Sequence, residues 1–116
     1  MKTLAFFFLF ASIVLTGCTE KYGQPADTGL PEINVIKALT DQSLKNKEVN
    51  IQGSILIECS SGCWFFLKDG TGHILIDLAP NNFTIPMKVG KKARVSGTLT
   101  GESGEPKIIA KSVEIS

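Results

Sequence analysis

Two cysteines separated by three small residues are the strongest chemical signal in this sequence. Cys59 and Cys63 enclose the tripeptide Ser-Ser-Gly. A three-residue hairpin loop favours glycine at its third position, where the backbone takes a positive φ, and Gly62 stands at that position. Such a loop would place the two side chains opposite each other, close to the separation of about 3.5–4.5 Å between Cβ atoms that a disulfide needs. In an oxidising compartment we therefore predict a Cys59–Cys63 disulfide.

A soft metal site is the alternative chemistry for the same two cysteines. Thiolates suit Cu(I) or zinc, and the predicted domain adds only His73 and Met87 as imidazole or thioether ligands. The spacing is not that of a zinc knuckle, and no second cysteine pair follows, which disfavours zinc. Copper binding or thiol redox chemistry through Cys59, Cys63, His73 and Met87 stays open as a second hypothesis. We expect no resident metal or cofactor.

Composition offers few groups for catalysis. The 116 residues include one histidine, 12 Lys or Arg and 11 Asp or Glu, with no glycine-rich phosphate loop. No Ser-His-Asp or Cys-His-Asn set can be assembled around His73, so we do not expect an enzyme. The near-neutral charge balance also argues against a nucleic-acid binder that depends on bulk charge. A hydrophobic content of 43% is enough for a packed core.

The N-terminus carries the pattern of an export signal. Lys2 precedes an apolar run over residues 4–15, which is shorter than the roughly 20 residues of a membrane span. The run ends in the tetrapeptide Leu-Thr-Gly-Cys at 15–18, which resembles the bacterial lipobox. That resemblance implies cleavage between Gly17 and Cys18 and lipidation of Cys18. The acyl chains of a lipobox protein anchor it stably in a membrane.

Three segments are expected along the chain. Residues 1–17 are the predicted signal peptide, residues 18–31 a flexible, Gly- and Pro-containing tether, and residues 32–116 the folded domain. The mature chain would have a formal net charge of zero, because cleavage removes Lys2. We expect a bacterial cell-envelope location. In Gram-negative bacteria, an Asp directly after the lipidated Cys resembles the signal for retention in the inner membrane. This chain has Thr19 at that position, so we expect the periplasmic face of the outer membrane if the host is Gram-negative.

The domain sequence predicts one short helix followed by five strands. Ile33, Ile36 and Leu39 share one helical face, and Asn34 can cap a helix near 34–40. A two-residue period then predicts strands at 48–58, 63–68, 73–78, 92–100 and 107–115, with a long loop over 79–90. The expected core residues on these strands are Val49, Ile51, Ile55, Ile57, Ile74, Ile76, Val95 and Leu99.

The strand pattern resembles the OB-fold, an all-β, five-stranded Greek-key barrel. The segment 66–72, Phe-Leu-Lys-Asp-Gly-Thr-Gly, resembles the F-x-x-D-x-T-G turn between strands two and three of many OB domains. The segment 89–97 resembles the opening of strand four, and Gly53 stands where strand one must bend. Two prolines in the 79–90 loop disfavour the helix that many OB-folds carry there. The layout also resembles a family of small exported bacterial OB-fold domains of unknown function that carry Gly-Cys-Trp at the start of strand two.

The OB-fold resemblance implies a ligand face on strands two and three and their neighbouring loops. The candidate residues on this face are Trp64, Phe66, Lys68, His73 and Arg94. Alternation in strand two requires either Trp64 and Phe66 or Phe65 and Leu67 to belong to the core instead, and the sequence leaves that choice open.

We therefore predict a non-catalytic, lipid-anchored binding module. Its N-terminal lipid would bind the membrane, and its further partner would be an envelope protein, a glycan or a small ligand. Single-stranded nucleic acid is a further alternative, because aromatic and basic side chains on an OB-fold can stack bases. We disfavour it because a lipid-anchored domain outside the cytoplasm meets little nucleic acid.

Overall fold

The computed structural model describes residues 19–101 and 105–116. The predicted signal peptide, the cleavage site at Gly17 and Cys18, and part of the turn before the last strand lie outside the described residues. In chain order the helix and the strands are β1 Glu20–Gly23, β2 Glu32–Ile33, α1 Val35–Thr40, β3 Glu48–Glu58, β4 Trp64–Asp69, β5 Gly72–Asp77, β6 Lys92–Thr100 and β7 Lys107–Ile115. Two short 3₁₀ turns cover Gln42–Leu44 and Ala79–Asn81. Among the described residues, no helix is long and apolar enough to cross a membrane.

The strands form one seven-stranded sheet, where we predicted five strands. β3 pairs antiparallel with β4 and β6, and β7 pairs antiparallel with β6 and parallel with β5. Because β4 also pairs with β5, the pairing runs from β3 through β4, β5, β7 and β6 and returns to β3. The two strands that we did not predict are β1, which pairs with β7, and β2, which pairs with β3.

The core is built from alternate residues of the five long strands. Seven of the eight residues that we expected there are buried, and Phe65 and Leu67 are fully buried beside them. The exception is Ile57, which is 53% exposed. The reason is a bulge between Ile55 and Ile57, which shifts the register of β3 against β4 and reverses the alternation. Glu58 is turned inward as a result and is buried.

Helix α1 confirms the predicted helix near 34–40, and its first turn is fully capped. The Asn34 side chain accepts a hydrogen bond from the Lys37 amide at 3.0 Å, as a helix N-cap does. The Val35 and Ile36 amides donate to the side chains of Asp69 and Thr71 at the β4–β5 turn. The β4–β5 turn, whose motif resembles that of OB domains, therefore holds the helix against the sheet through these hydrogen bonds.

The predicted tether differs from the structure, because residues 20–23 form a strand. The Gln24 amide also donates to the Lys111 carbonyl at 2.8 Å, and the buried Asn50 side chain donates to the Asp27 carbonyl at 2.7 Å. These bonds hold the segment along β7 and β3. The folded unit thus begins before residue 32, close to the predicted lipid site at Cys18.

Candidate functional site

The outward face of β4 and β5 carries four of the five predicted ligand-face residues. Phe65 and Leu67 point into the core, so Trp64 and Phe66 point outward and are half-buried. The register places Trp64 opposite Asp77, Phe66 opposite Leu75 and Lys68 opposite His73. Residues directly opposite each other lie on the same face of a sheet. The structure therefore resolves the choice that the sequence left open, and Trp64, Phe66, Lys68 and His73 share one surface.

Three rings on this surface form a row, which we call the aromatic row: Trp64, Phe66 and His73. The ring centroids of Trp64 and Phe66 are 5.9 Å apart with an interplanar angle of 80°. The centroids of Phe66 and His73 are 5.7 Å apart at 71°. Both pairs are edge-to-face contacts, a geometry that aromatic side chains prefer. Each ring is thus held in place by its neighbour before any ligand arrives.

A groove follows the aromatic row across the sheet. A shallow pocket lies between Trp64, Phe66, Leu75 and Asp77. A broader groove continues from Phe66 and His73 past Leu75 to Lys107 and Ile109 on β7. Lys107 Nζ lies 3.1 Å from Asp77 Oδ2, which places an ion pair in the groove. The far side of the broader groove is polar, with Lys45, Asn46 and Glu105 among its lining residues.

Several groove residues were not among the predicted ligand-face residues, Leu75, Lys107 and Ile109 among them. β5 and β7 are parallel neighbours and lie far apart in the chain, so no local pattern brings Lys107 beside Asp77. The signal for Leu75 was present, because it alternates with the core residues Ile74 and Ile76 and so had to face outward.

Arg94 does not join the aromatic row. It lies on β6, opposite Gln52 and Glu114, and its guanidinium contacts Glu32 Oε2 at 3.0 Å. It lines a different groove, together with Gly53 and Lys92. Lys68 also lines this second groove, although it lies opposite His73 on the β4–β5 ladder. The structure thus separates Arg94 from the face to which we assigned it.

The cysteine hairpin has the predicted loop. Gly62 has φ +74°, and its amide donates to the Cys59 carbonyl at 2.8 Å. The Cys59 and Cys63 sulfurs lie 3.1 Å apart as thiols, and Ser61 Oγ lies 3.1 Å from the Cys59 sulfur. Hydrogen bonds from the Ser61 side chain and then from the Cys63 thiol lower the pKa of Cys59 from its ordinary value to about 7. The pair is close enough to form a disulfide after a small movement of the sulfurs.

The predicted metal ligands are not all brought together. Cys63 precedes β4, and its carbonyl accepts from the Leu78 amide, just after β5. His73 is five residues back along β5, about 16 Å away at the rise of an extended strand. Met87 is 61% exposed in the loop beside the hairpin. Within 19–101 and 105–116, no three His, Cys, Asp or Glu side chains cluster closely enough to hold a metal ion.

The hairpin rests on the long loop between β5 and β6. The Ile85 amide donates to the Gly62 carbonyl at 3.1 Å, and the Lys88 amide donates to the buried Glu58 carboxylate. These two hydrogen bonds therefore connect the cysteine hairpin and the end of β3 directly to the loop 82–91.

No protein-family model and no curated protein matches the sequence. Several solved structures do resemble the fold. The hypothetical protein ygiW from E. coli superposes with a TM-score of 0.56 at 18% identity, over 78% of this chain and 100% of that one. A putative aspartyl-tRNA synthetase from Leishmania major gives 0.63 at 15% identity, over 80% of this chain and only 23% of that one.

A third similar structure is the telomere capping protein Ten1 from Saccharomyces pombe. It gives a TM-score of 0.52 at 11% identity, over 70% of this chain and 77% of that one. These are OB-fold proteins, so the comparisons support the expected OB-type architecture. At such low identities the similarity concerns the fold alone.

Proposed function

We propose that this protein is a non-catalytic binding module of the bacterial envelope, anchored by lipid at Cys18, that binds an oligosaccharide along the outward face of β4 and β5. The observation that carries the proposal is the aromatic row of Trp64, Phe66 and His73 beside a groove. The pairing circuit of β3 to β7 supports a further, structural proposal: that these five strands are the Greek-key barrel of an OB-fold.

The chemistry of the groove favours sugars. OB-folds bind both oligonucleotides and oligosaccharides on this face. Sugar rings present apolar C–H faces to aromatic side chains, and their hydroxyls can bond to Asp77 and Lys107 in the groove.

The location rests on the N-terminal sequence. Leu-Thr-Gly-Cys at 15–18 supports cleavage after Gly17 and acylation of Cys18. A Cys18→Ser variant should therefore no longer incorporate labelled fatty acid in the host cell, while the parent chain should. Continued labelling of the Cys18→Ser variant would contradict the anchor, and it would leave the ligand face untouched.

Nucleic acid is the second candidate ligand. Two of the similar structures are by name a tRNA synthetase and a telomere capping protein, and stacking on Trp64 and Phe66 would suit unpaired bases as well as sugars. The formal net charge of +1 for the whole chain supplies little of the electrostatic attraction on which such binding depends.

Titration of the intrinsic fluorescence separates the two ligand classes, because Trp64 is the only tryptophan. We expect N-acetylglucosamine or cello-oligosaccharides to change its emission saturably, and single-stranded DNA to do so weakly or not at all. Phe66→Ala should weaken the saccharide affinity about tenfold or more, by loss of one stacking partner. Ile36→Ala, an exposed substitution on α1, is the matched control. A response to DNA alone would favour the second candidate.

The cysteine pair supports a separate candidate activity, thiol–disulfide or Cu(I) chemistry. The supporting observation is the sulfur–sulfur distance of 3.1 Å together with the lowered pKa of Cys59. Mass spectrometry of protein isolated without reductant tests it. A mass lower by two hydrogens indicates the disulfide, and two free thiols that retain copper on native isolation indicate the metal site.

A further inference from the structure

The exposed apolar side chains of this protein are concentrated in one place. Among the described residues, five large hydrophobic side chains are exposed, and four of them belong to two short stretches. Leu56 and Ile57 lie at the bulge of β3, and Met87 and Val89 lie in the loop before β6. Their exposed fractions run from 39% to 61%. We call these four residues the apolar patch.

Hydrogen bonds hold the two stretches side by side. The Gly90 amide donates to the Ile55 carbonyl at 2.8 Å, and the Lys88 amide donates to the Glu58 carboxylate. Each of these bonds flanks residues of the patch, so Leu56 and Ile57 are fixed next to Met87 and Val89. The buried Glu58 carboxylate therefore helps to fix the loop in this position.

The patch lies next to the point at which the chain leaves the fold toward Cys18. Glu20, the first residue of β1, makes an ion pair with Lys88 at 3.2 Å, and Lys88 stands between Met87 and Val89 in sequence. Cys18 precedes Glu20 by two residues, a reach of about 7 Å at most along an extended chain. With β1 paired to β7, no long tether separates the anchor from the patch.

The charges around the patch suit a bilayer with anionic headgroups. Lys91 and Lys92 are exposed at the start of β6, and nearby in the chain Lys88 is paired with Glu20. Basic side chains beside an apolar surface add attraction to anionic lipids. Glu20 is already paired with Lys88, and Glu58 is buried, so neither presents a free carboxylate to the membrane.

We propose that the apolar patch rests in the headgroup region of the bilayer to which Cys18 is anchored, and so fixes the orientation of the domain on the membrane. This inference rests on the lipid anchor proposed above. It has a consequence for the ligand face, because Ile57 lies opposite Phe66 across the β3–β4 ladder. Phe66, the middle ring of the aromatic row, then lies beside the membrane-facing patch.

Fluorescence quenching by brominated lipids tests the proposal on the full, lipidated chain. A tryptophan introduced by Val89→Trp, in a Trp64→Phe background, reports the patch, and Ile36→Trp in the same background is the matched control. Both proteins are reconstituted in phosphatidylethanolamine–phosphatidylglycerol vesicles that carry bromine near the headgroup. We expect at least twofold quenching and a blue-shifted emission for the patch reporter, and neither for the control.

Three other outcomes overturn the proposal and are distinguishable. Equal quenching of both reporters, or of neither, in protein that floats with the vesicles overturns the patch alone and leaves the anchor intact. Protein that does not float overturns the anchor and this inference with it. A dimer in lipid-free solution that Met87→Gln with Val89→Gln dissociates, combined with no quenching, assigns the patch to a second copy of the chain.

Discussion

The Asp69 carboxylate accepts a hydrogen bond from the backbone amide of Val35 at 2.9 Å, although the two residues are 34 positions apart. The same carboxylate accepts from the amide and the hydroxyl of Thr71, and Thr71 Oγ1 in turn accepts from the Ile36 amide at 3.0 Å. These partners satisfy amide groups that the first turn of a helix leaves without an intrahelical bond. The Asp and Thr of the turn motif thus have a structural role, and the motif by itself carries no information about a ligand.

Asp69→Ala should lower the free energy of unfolding by about 1–2 kcal/mol, because it removes a helix cap and the closure of the β4–β5 turn together. Urea denaturation followed by circular dichroism measures the change. Thr71→Ser keeps the hydroxyl and serves as the control, with a smaller expected loss. An Asp69→Ala midpoint equal to that of the parent chain would show that these bonds contribute nothing net.

The contribution of Asp69 should also depend on pH. Burial by itself raises the pKa of this carboxyl, but the hydrogen bonds from Thr71 and Val35 outweigh it and hold the pKa below its ordinary value. A carboxylate whose pKa is lower in the folded chain stabilises the fold above its unfolded pKa, and that stabilisation is lost as the pH falls through the folded pKa. The stability difference between the parent chain and Asp69→Asn should therefore shrink between pH 6 and pH 3. A difference that stays constant over this range contradicts the assignment.

Gly53→Ala should destabilise the fold by about 1–3 kcal/mol. A Cβ at this position would meet the backbone carbonyl oxygen of Lys68 and the side chain of Leu67, because β4 passes close to β3 there. Gly70→Ala is the matched control, since a Cβ there meets nothing within 4 Å, and it should change stability by no more than about 0.5 kcal/mol. Thermal denaturation of the two variants gives the comparison. Equal effects would count against the close approach of the strands.

Cys59→Ser with Cys63→Ser should leave the fold intact and lower its stability by about 2 kcal/mol or less under oxidising conditions. The core consists of aliphatic and aromatic side chains, and a disulfide across so short a loop restrains the unfolded chain little. Under reducing conditions the double variant and the parent chain should denature at nearly the same urea concentration. Loss of the fold in the double variant would mean that the domain needs the cysteine pair in order to fold.

The sequence predicted the long strands well, because their burial pattern is local. The bounds of β6 and β7 agree with the prediction residue for residue. The place of α1 was predicted correctly, but its apolar face was not: Ile33 lies in β2 and Ile36 is exposed, and the helix buries Val35 and Ala38. The strand β1 was missed because Glu20, Lys21 and Tyr22 show no alternation. Its existence depends on the free edge of β7, which only the folded sheet supplies.

Two further expectations, one for the core and one for the ligand face, differ from the structure. Ile57 was assigned to the core because the bulge after Ile55 cannot be located from alternation alone, although Leu56 on the polar side was a sign of it. Arg94 was assigned to the ligand face from the OB-fold resemblance, and its contact with Glu32, 62 positions away, leaves no local sequence signal. By contrast, alternation in β4 left only two possibilities for Trp64 and Phe66, inward or outward, and the burial of Phe65 and Leu67 shows that they face outward.

Amide chemical-shift mapping during an oligosaccharide titration tests the central claim most directly, because it reports where on the molecule the ligand binds. We predict saturable shifts confined to residues 64–68 and 72–77 and to Lys107 and Ile109, and their loss in Phe66→Ala protein that remains folded. Shifts centred on the Cys59–Cys63 hairpin or on the groove beside Arg94, or none at millimolar oligosaccharide, would contradict the account.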